Sequence, residues 1–155
     1  MDYAETRQTM AAILSDHEGL EGPLLPILHA VQAHFGYIPA DVVQIIADRL
    51  NITRAEVHGV VTFYHDFRDA PAGKHVVKIC RAEACQSVGA NVLSERAFEK
   101  LGVDWHGTTP NGAVTLEPVY CLGLCACGPA AMVDGKVVGR VDAAKLDKLL
   151  AEAGA

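Results

Sequence analysis

The sequence has no apolar run approaching the roughly 20 residues a membrane-spanning helix needs. None follows its acidic start, Met1-Asp2-Tyr3-Ala4-Glu5, either. Neither a membrane span nor a secretory leader is expected, and a cytoplasmic location is. In that compartment cysteines are usually thiols or metal ligands rather than disulfides. Basic residues are scarce over the first 70 positions, which hold ten acidic and four basic side chains. A nucleic-acid partner is therefore not expected, because phosphate binding rests on Lys and Arg. Asn51 to Tyr64 has the outline of a recognition helix but lacks its basic face. No phosphate loop, carboxylate pair or nucleophile–base arrangement stands out, so no substrate site of its own is expected. There is no C-x-x-C, the usual motif of a reactive thiol pair. Cysteine itself is absent before residue 80.

Half of the 155 residues are apolar and 21% are charged, which is the composition of a folded domain with a real core. Residues 1–70 read as a small helical bundle. A first helix is expected over about Glu5 to Asp16, with Met10, Ile13 and Leu14 on one side. Leu24, Ile27, Leu28, Val31 and Phe35 then recur at helical spacing up to Gly36. Pro39 can open a third helix with Val42, Ile45, Ile46 and Leu50 as its stripe. Thr53 and Glu56 form a T-x-x-E capping box, so a fourth helix should start near Arg54 and bury Val57, Val60, Val61 and Tyr64. The break at Asp69-Ala70-Pro71-Ala72-Gly73 is the expected domain boundary.

A second domain is expected over residues 74–155. Its pattern is a strand from Lys74 to Cys80, a helix from Val88 to Leu101, and a strand from Ala113 to Tyr120. Strands at Ala131 to Val133 and Val137 to Val141 follow, joined by a turn at Asp134-Gly135. Asp142 should cap a last helix carrying Leu146, Leu149 and Leu150. This order points to a small α+β or α/β sandwich.

Two of its strands end on cysteine pairs. Cys80 and Cys85 form a C-x4-C and Cys121 and Cys125 a C-x3-C, with 35 residues between the pairs. If the two strands are neighbours, four thiolates converge at one sheet edge. Zinc tolerates such spacings, so a structural zinc assembly module is a reading of another class. Three features lean towards iron–sulfur. The loops are longer than a C-x2-C knuckle, and they are rich in small residues such as Ala82, Ala84, Gly123 and Gly128. Small residues let backbone N–H groups approach the sulfurs of a negatively charged cluster. The helix after Cys85 should also aim its positive N-terminus at the site. Arg81 can offset part of the cluster's charge or stand as a solvated loop residue. Cys127 can replace Cys125 as a ligand or act as a small packed hydrophobe.

Other candidates have ordinary readings. His58 and His65 lie seven apart, two turns and about 10.5 Å of rise, too far for one ion. His29 and His34 are poorly aligned. Val60 to Tyr64 reads as bundle core or as a partner surface, and Trp105 as a partner anchor or a cap on the core.

Cys80-x4-Cys85, Cys121-Leu122-Gly123-Leu124-Cys125 and Gly128-Pro129-Ala130-Ala131-Met132 together resemble the 24 kDa-type [2Fe–2S] subunit of NADH dehydrogenases. Leu24, Pro26-Ile27-Leu28, Gly36-Tyr37-Ile38-Pro39 and Gly59-Val60-Val61-Thr62-Phe63-Tyr64 are similar to the same family's N-terminal signature. The resemblance runs from about residue 20 to 145. It implies a helical bundle followed by a thioredoxin-like domain, with one [2Fe–2S] cluster on Cys80, Cys85, Cys121 and Cys125. It implies an electron-transfer subunit paired with an FMN- and NAD-binding diaphorase subunit and a larger molybdenum or other catalytic subunit. Such subunits occur in complex I, in NAD-linked hydrogenases and in molybdenum-dependent formate dehydrogenases. The compact length and the Cys121-Leu122-Gly123-Leu124-Cys125-Ala126-Cys127-Gly128-Pro129 run look most like the gamma subunit of an NAD-dependent formate dehydrogenase.

Overall fold

The structure, a computed structural model, describes residues 3–154. Met1, Asp2 and Ala155, which the expected domain limits and the reading of the N-terminus take in, lie outside the described residues. Two compact units divide between Pro71 and Ala72.

The first unit is four helices: α1 (Tyr3–Asp16), α2 (Leu24–Phe35), α3 (Ala40–Leu50) and α4 (Arg54–Phe63). Met10, Ile27, Leu28, Val31, Val42, Ile46 and Val57 have essentially no exposed surface and form its core. Each such side chain contributes roughly 1.5–3 kcal/mol by leaving water. Gly36 ends α2 in the left-handed region at φ 80°, a conformation glycine adopts without strain. Pro39 stands just before α3 rather than inside it, in extended conformation. The stripe of α3 differs from expectation: Val43 and Ala47 are buried with Val42 and Ile46, while Ile45 and Leu50 are only half-buried. In α4 the capping box forms, with the Glu56 N–H donating to Thr53 Oγ1 and the Thr53 N–H to Glu56 Oε2.

The buried face expected of α4 is corrected. Val57 alone is fully buried, because the other positions facing the same way fall at the rim of the core. Tyr64 lies beyond the helix end and is exposed, and Phe63 is 72% exposed. They flank an apolar groove that Leu24, Leu25, Ile52 and Val60 also line.

The second unit holds a four-stranded sheet in the order β2-β1-β3-β4, formed by β1 (His75–Cys80), β2 (Val114–Val119), β3 (Ala131–Val133) and β4 (Lys136–Val138). β1 and β2 are parallel, from His75 against Val114 to Cys80 against Val119; the other pairings are antiparallel. Helices α5 (Glu83–Gln86), α6 (Ala90–Leu101) and α7 (Ala143–Glu152) complete the unit. Val77, Ile79, Leu116, Leu146 and Leu150 centre its core. The edge of β2 is not left open to pairing. The loop before it runs alongside, with the His106 N–H donating to Leu116 C=O and the Leu116 N–H to Gly107 C=O.

Two boundaries differ from those the pattern suggests. The helix expected from Val88 is α6, which starts at Ala90 after Gly89 at φ 100°, and a separate one-turn helix, α5, precedes it. The last strand stops at Val138 instead of Val141, because the chain turns away to bond elsewhere: Arg140 N–H to Cys127 C=O and Val141 N–H to Pro129 C=O. The turn between β3 and β4 has both central residues left-handed, Asp134 at φ 48° and Gly135 at φ 81°, as a two-residue hairpin turn of the primed type requires. Asp142 caps α7 through the Lys145 N–H.

Candidate metal centre

Parallel neighbours end at the same edge, and this places the cysteines. Cys80 is the last residue of β1, in register with Val119, and Cys121 follows β2 by two residues. Cys85 lies on α5, whose first turn is closed by Ala82 C=O accepting from the Cys85 and Gln86 N–H groups. Cys80 and Cys85 are 1% exposed, packed with Ala90, the first residue of α6, and with Ala130. Cys121 and Cys125 are exposed, and their sulfurs are 3.6 Å apart.

The second loop closes over the first pair. A Cβ on Gly128 would stand 3.5 Å from Cys85 Sγ and 3.1 Å from Val88 Cγ2. Gly128 therefore has the contact distance of a neighbour to the buried thiol with no side chain to intrude. Cys121 itself has φ 112° and Gly123 φ 75°. That bend points the Gly123 N–H at Cys121 Sγ, 3.3 Å away. The Gly123 N–H stabilises the thiolate and lowers the Cys121 pKa. Cys125, facing that sulfur, is pushed up. Burial raises the Cys85 thiol, and Cys80 beside it adds to the effect.

All five cysteines are free thiols. Among the described residues no three His, Cys, Asp or Glu side chains close on one ion position; the four sulfurs stand as two pairs. A two-iron cluster needs that donor set, with two thiolates on each iron. A glycine cradle against one sulfur and a backbone N–H on another also suit a cluster whose thiolate-ligated core is negatively charged.

Cys127 is the fifth cysteine. It ends a one-turn 3₁₀ helix, Cys125–Cys127, and is half-buried. The structure engages its backbone: its C=O accepts the Arg140 N–H at 2.6 Å, and a Cβ on Gly139 would come within 2.9 Å of that oxygen. Gly128 is one of the small loop residues the sequence sets beside the cysteines, but nothing there marks Gly139 for its contact, because a glycine tight against a distant stretch of chain looks like any other. Arg81 is not a solvated loop residue. Its guanidinium bonds Asn91 and lies over the Trp105 ring, and Trp105 packs edge-on against Phe98 at the rim of the core. His58 and His65 are exposed, and His29 packs against Phe67.

The model of a family described as thioredoxin-like [2Fe–2S] ferredoxin matches residues 10–154. The chain is 39% identical over 132 residues to the NADP-reducing hydrogenase subunit HndA of Solidesulfovibrio fructosivorans, covering 85% of this chain and 77% of that one. It is 34% identical over 135 residues to the NADH-quinone oxidoreductase subunit 2 of Thermus thermophilus, covering 86% and 75%. The fold superposes on a chain of an NAD+-reducing [NiFe]-hydrogenase in the air-oxidized state with a TM-score of 0.70 at 21% identity. That match covers 84% of this chain but only 22% of the hydrogenase chain.

Proposed function

Since the chain belongs to the thioredoxin-like [2Fe–2S] ferredoxin family, we propose that it carries electrons through one [2Fe–2S] cluster held by Cys80, Cys85, Cys121 and Cys125. The observation that carries this reading is the meeting of two cysteine pairs at the shared end of two parallel strands. When bound, the cluster supplies a site that takes up and gives back one electron. The chain's own residues do the rest. Cys80 and Cys85 would anchor it in a buried pocket with Ala90 and Ala130. Gly123 donates to the Cys121 sulfur, and the exposed Cys121–Cys125 side gives a redox partner its shortest approach.

We place the chain in an NAD(P)-linked complex of the hydrogenase or NADH-quinone oxidoreductase kind. The relatives named above support that choice. Formate dehydrogenase, the expectation from chain length and the Cys121-to-Pro129 run, has no such support. The implied partners are an FMN- and NAD-binding subunit and a larger catalytic subunit. The exposed Phe63 and Tyr64 beside the apolar groove offer the helical unit's surface for one of them. No helix of the described residues is long and apolar enough to cross a membrane; a cytoplasmic location remains part of the proposal.

The test is purification of the chain with its partners, with mass-spectrometric identification and metal analysis. Iron and acid-labile sulfide near two each per chain are expected for this cluster, with a nickel–iron or quinone-linked partner. Colourless protein with one zinc refutes the cluster, and a molybdenum-containing partner restores formate as the substrate. Cys121→Ser or Cys125→Ser should abolish or strongly perturb the reduced-state EPR signal, whereas Cys127→Ser should leave it nearly intact. The opposite result for Cys125 and Cys127 overturns the ligand assignment.

A further inference from the structure

Arg81 is an arginine without an acid. Arg49 pairs with Glu18 and Arg96 with Asp147. Arg81 makes no ion pair among the described residues and is held only by neutral groups. Its Nη2 donates to Asn91 Oδ1 at 3.0 Å, and its guanidinium carbon lies 5.7 Å from the Trp105 ring centroid. Asn91 is itself steadied by Gln86, whose Oε1 accepts from Asn91 Nδ2. The Arg81 Nε is buried with no hydrogen-bond partner, the one side-chain nitrogen or oxygen so placed among the described residues.

The backbone fixes the origin of this side chain between the two cysteine arms. The Arg81 N–H donates to Val119 C=O at 2.7 Å, and its C=O accepts from Gln86 Nε2 at 2.7 Å. Val119 precedes Cys121 by two residues, and Cys80 is the preceding neighbour. A guanidinium stays charged at any pH a folded protein meets. An aromatic face and an amide orient that charge without cancelling it. Folded chains seldom leave such a group half-covered and unpaired. Cys80, the residue before it in the chain, is an assigned ligand of a thiolate-bound cluster whose charge grows by one on reduction.

We propose that Arg81 is the electrostatic counterpart of the cluster and raises its reduction potential, with Trp105 and Asn91 as the residues that position it. This rests on the ligand assignment above. A fixed positive charge favours the more negative, reduced state, and the partial cover Arg81 gains by lying over Trp105 spares it some of the screening that weakens surface charges.

The experiment compares the full-length protein with Arg81→Gln, Arg81→Lys and Trp105→Leu. Iron and sulfide are measured first, then the midpoint potential by EPR-monitored redox titration. Arg81→Gln should move the midpoint to more negative potential, lowering the reduced-to-oxidised ratio at fixed potential on the order of tenfold, as one unit charge in a partly buried setting would. Arg81→Lys should recover most of the difference. Trp105→Leu, which keeps the charge but frees it, should shift in the same direction by less. A cluster-replete Arg81→Gln protein with an unchanged midpoint overturns the proposal. So does an Arg81→Lys shift as large as that of Arg81→Gln, which would make Arg81 a packing residue. Should Arg81→Gln fail to hold the cluster, Trp105→Leu decides: an unchanged midpoint there also overturns it. An Arg81→Gln protein that keeps its midpoint but loses a partner subunit marks Arg81 as a docking contact instead. A wild-type chain without iron fails the ligand assignment rather than this inference.

Discussion

Lys78 and Glu117 face each other in register across β1 and β2, the strands that deliver the two cysteine pairs. Their charged ends are 3.2 Å apart, and their side chains are 14% and 6% exposed. Both charges have given up most of their water, and their mutual attraction offsets that loss only while both are present. Glu117→Gln keeps the shape and removes one charge, taking the carboxylate away from the covered Lys78 ammonium. Breaking a buried pair in this way costs roughly 3–5 kcal/mol. A unit this small is held by about 5–15 kcal/mol in all, and each kcal/mol is worth about 4–8 °C in Tm. The midpoint of the second unit should therefore fall by at least about 12 °C. Replacing both partners, Lys78→Met with Glu117→Leu, removes both covered charges and should restore stability to the wild-type level or above. Thermal and urea unfolding followed by circular dichroism measures this, with visible absorbance reporting the cluster. A Glu117→Gln protein within about 1 kcal/mol of wild type, well under the roughly 3–5 expected, refutes the reasoning. A double variant as unstable as the single one does the same.

Gly139→Ala puts a methyl 2.9 Å from Cys127 O and 3.0 Å from Cys127 Cβ. Overpacking of this kind typically costs about 1–3 kcal/mol; here it should displace the 125–127 turn and lower cluster content, measured as iron and sulfide per chain. Unchanged content and stability would show that the contact yields freely. Arg96 grips Asp147 with two hydrogen bonds of 2.8 and 2.6 Å, joining α6 to α7. That grip holds the Asp147 carboxyl down from 3.8 to about 2. Because the folded pKa is the lower one, the stabilisation is complete above about pH 4 and is lost as pH falls through about 2. Urea midpoints against pH should decline across that window in wild type and decline less in Asp147→Asn; identical slopes would contradict the assignment.

The parts of this fold legible in the sequence are those governed by local chemistry. Thr53 and Glu56 specify a helix start because the capping box is made within four residues. Asp134-Gly135 specifies a hairpin because both residues accept a left-handed backbone. Each strand bearing a cysteine pair is marked by its apolar run, and their adjacency follows from one crossover. Positions decided by distant neighbours are not legible. Val43 and Ile45 are equally apolar, but only the packing of α1, α2 and α4 around α3 determines which is buried. Tyr64 fits the helical spacing of α4 yet falls past its end. Arg81 looks like any loop arginine until Trp105, 24 positions on, is laid beneath it.

Cys125 and Cys127 show why spacing alone leaves the ligand set open. Both C-x3-C and C-x5-C can span a metal pair, and the intervening Ala126 favours neither. The backbone geometry supports Cys125 in the proposed ligand set. In a 3₁₀ helix each residue turns the chain by about 120°, so side chains two apart point in different directions around the axis. Only one of the two can face Cys121, and it is Cys125, at 3.6 Å between sulfurs. The turn cannot simply roll to exchange them. Cys127 C=O is held by the Arg140 N–H, Val141 is bonded to Pro129, and Gly139 abuts the Cys127 backbone. Turning Cys127 towards Cys121 would break the first of these bonds and strand its carbonyl. The fifth cysteine is thus committed through its backbone to holding the second loop against the end of β4, and that commitment presents Cys125 to the pair.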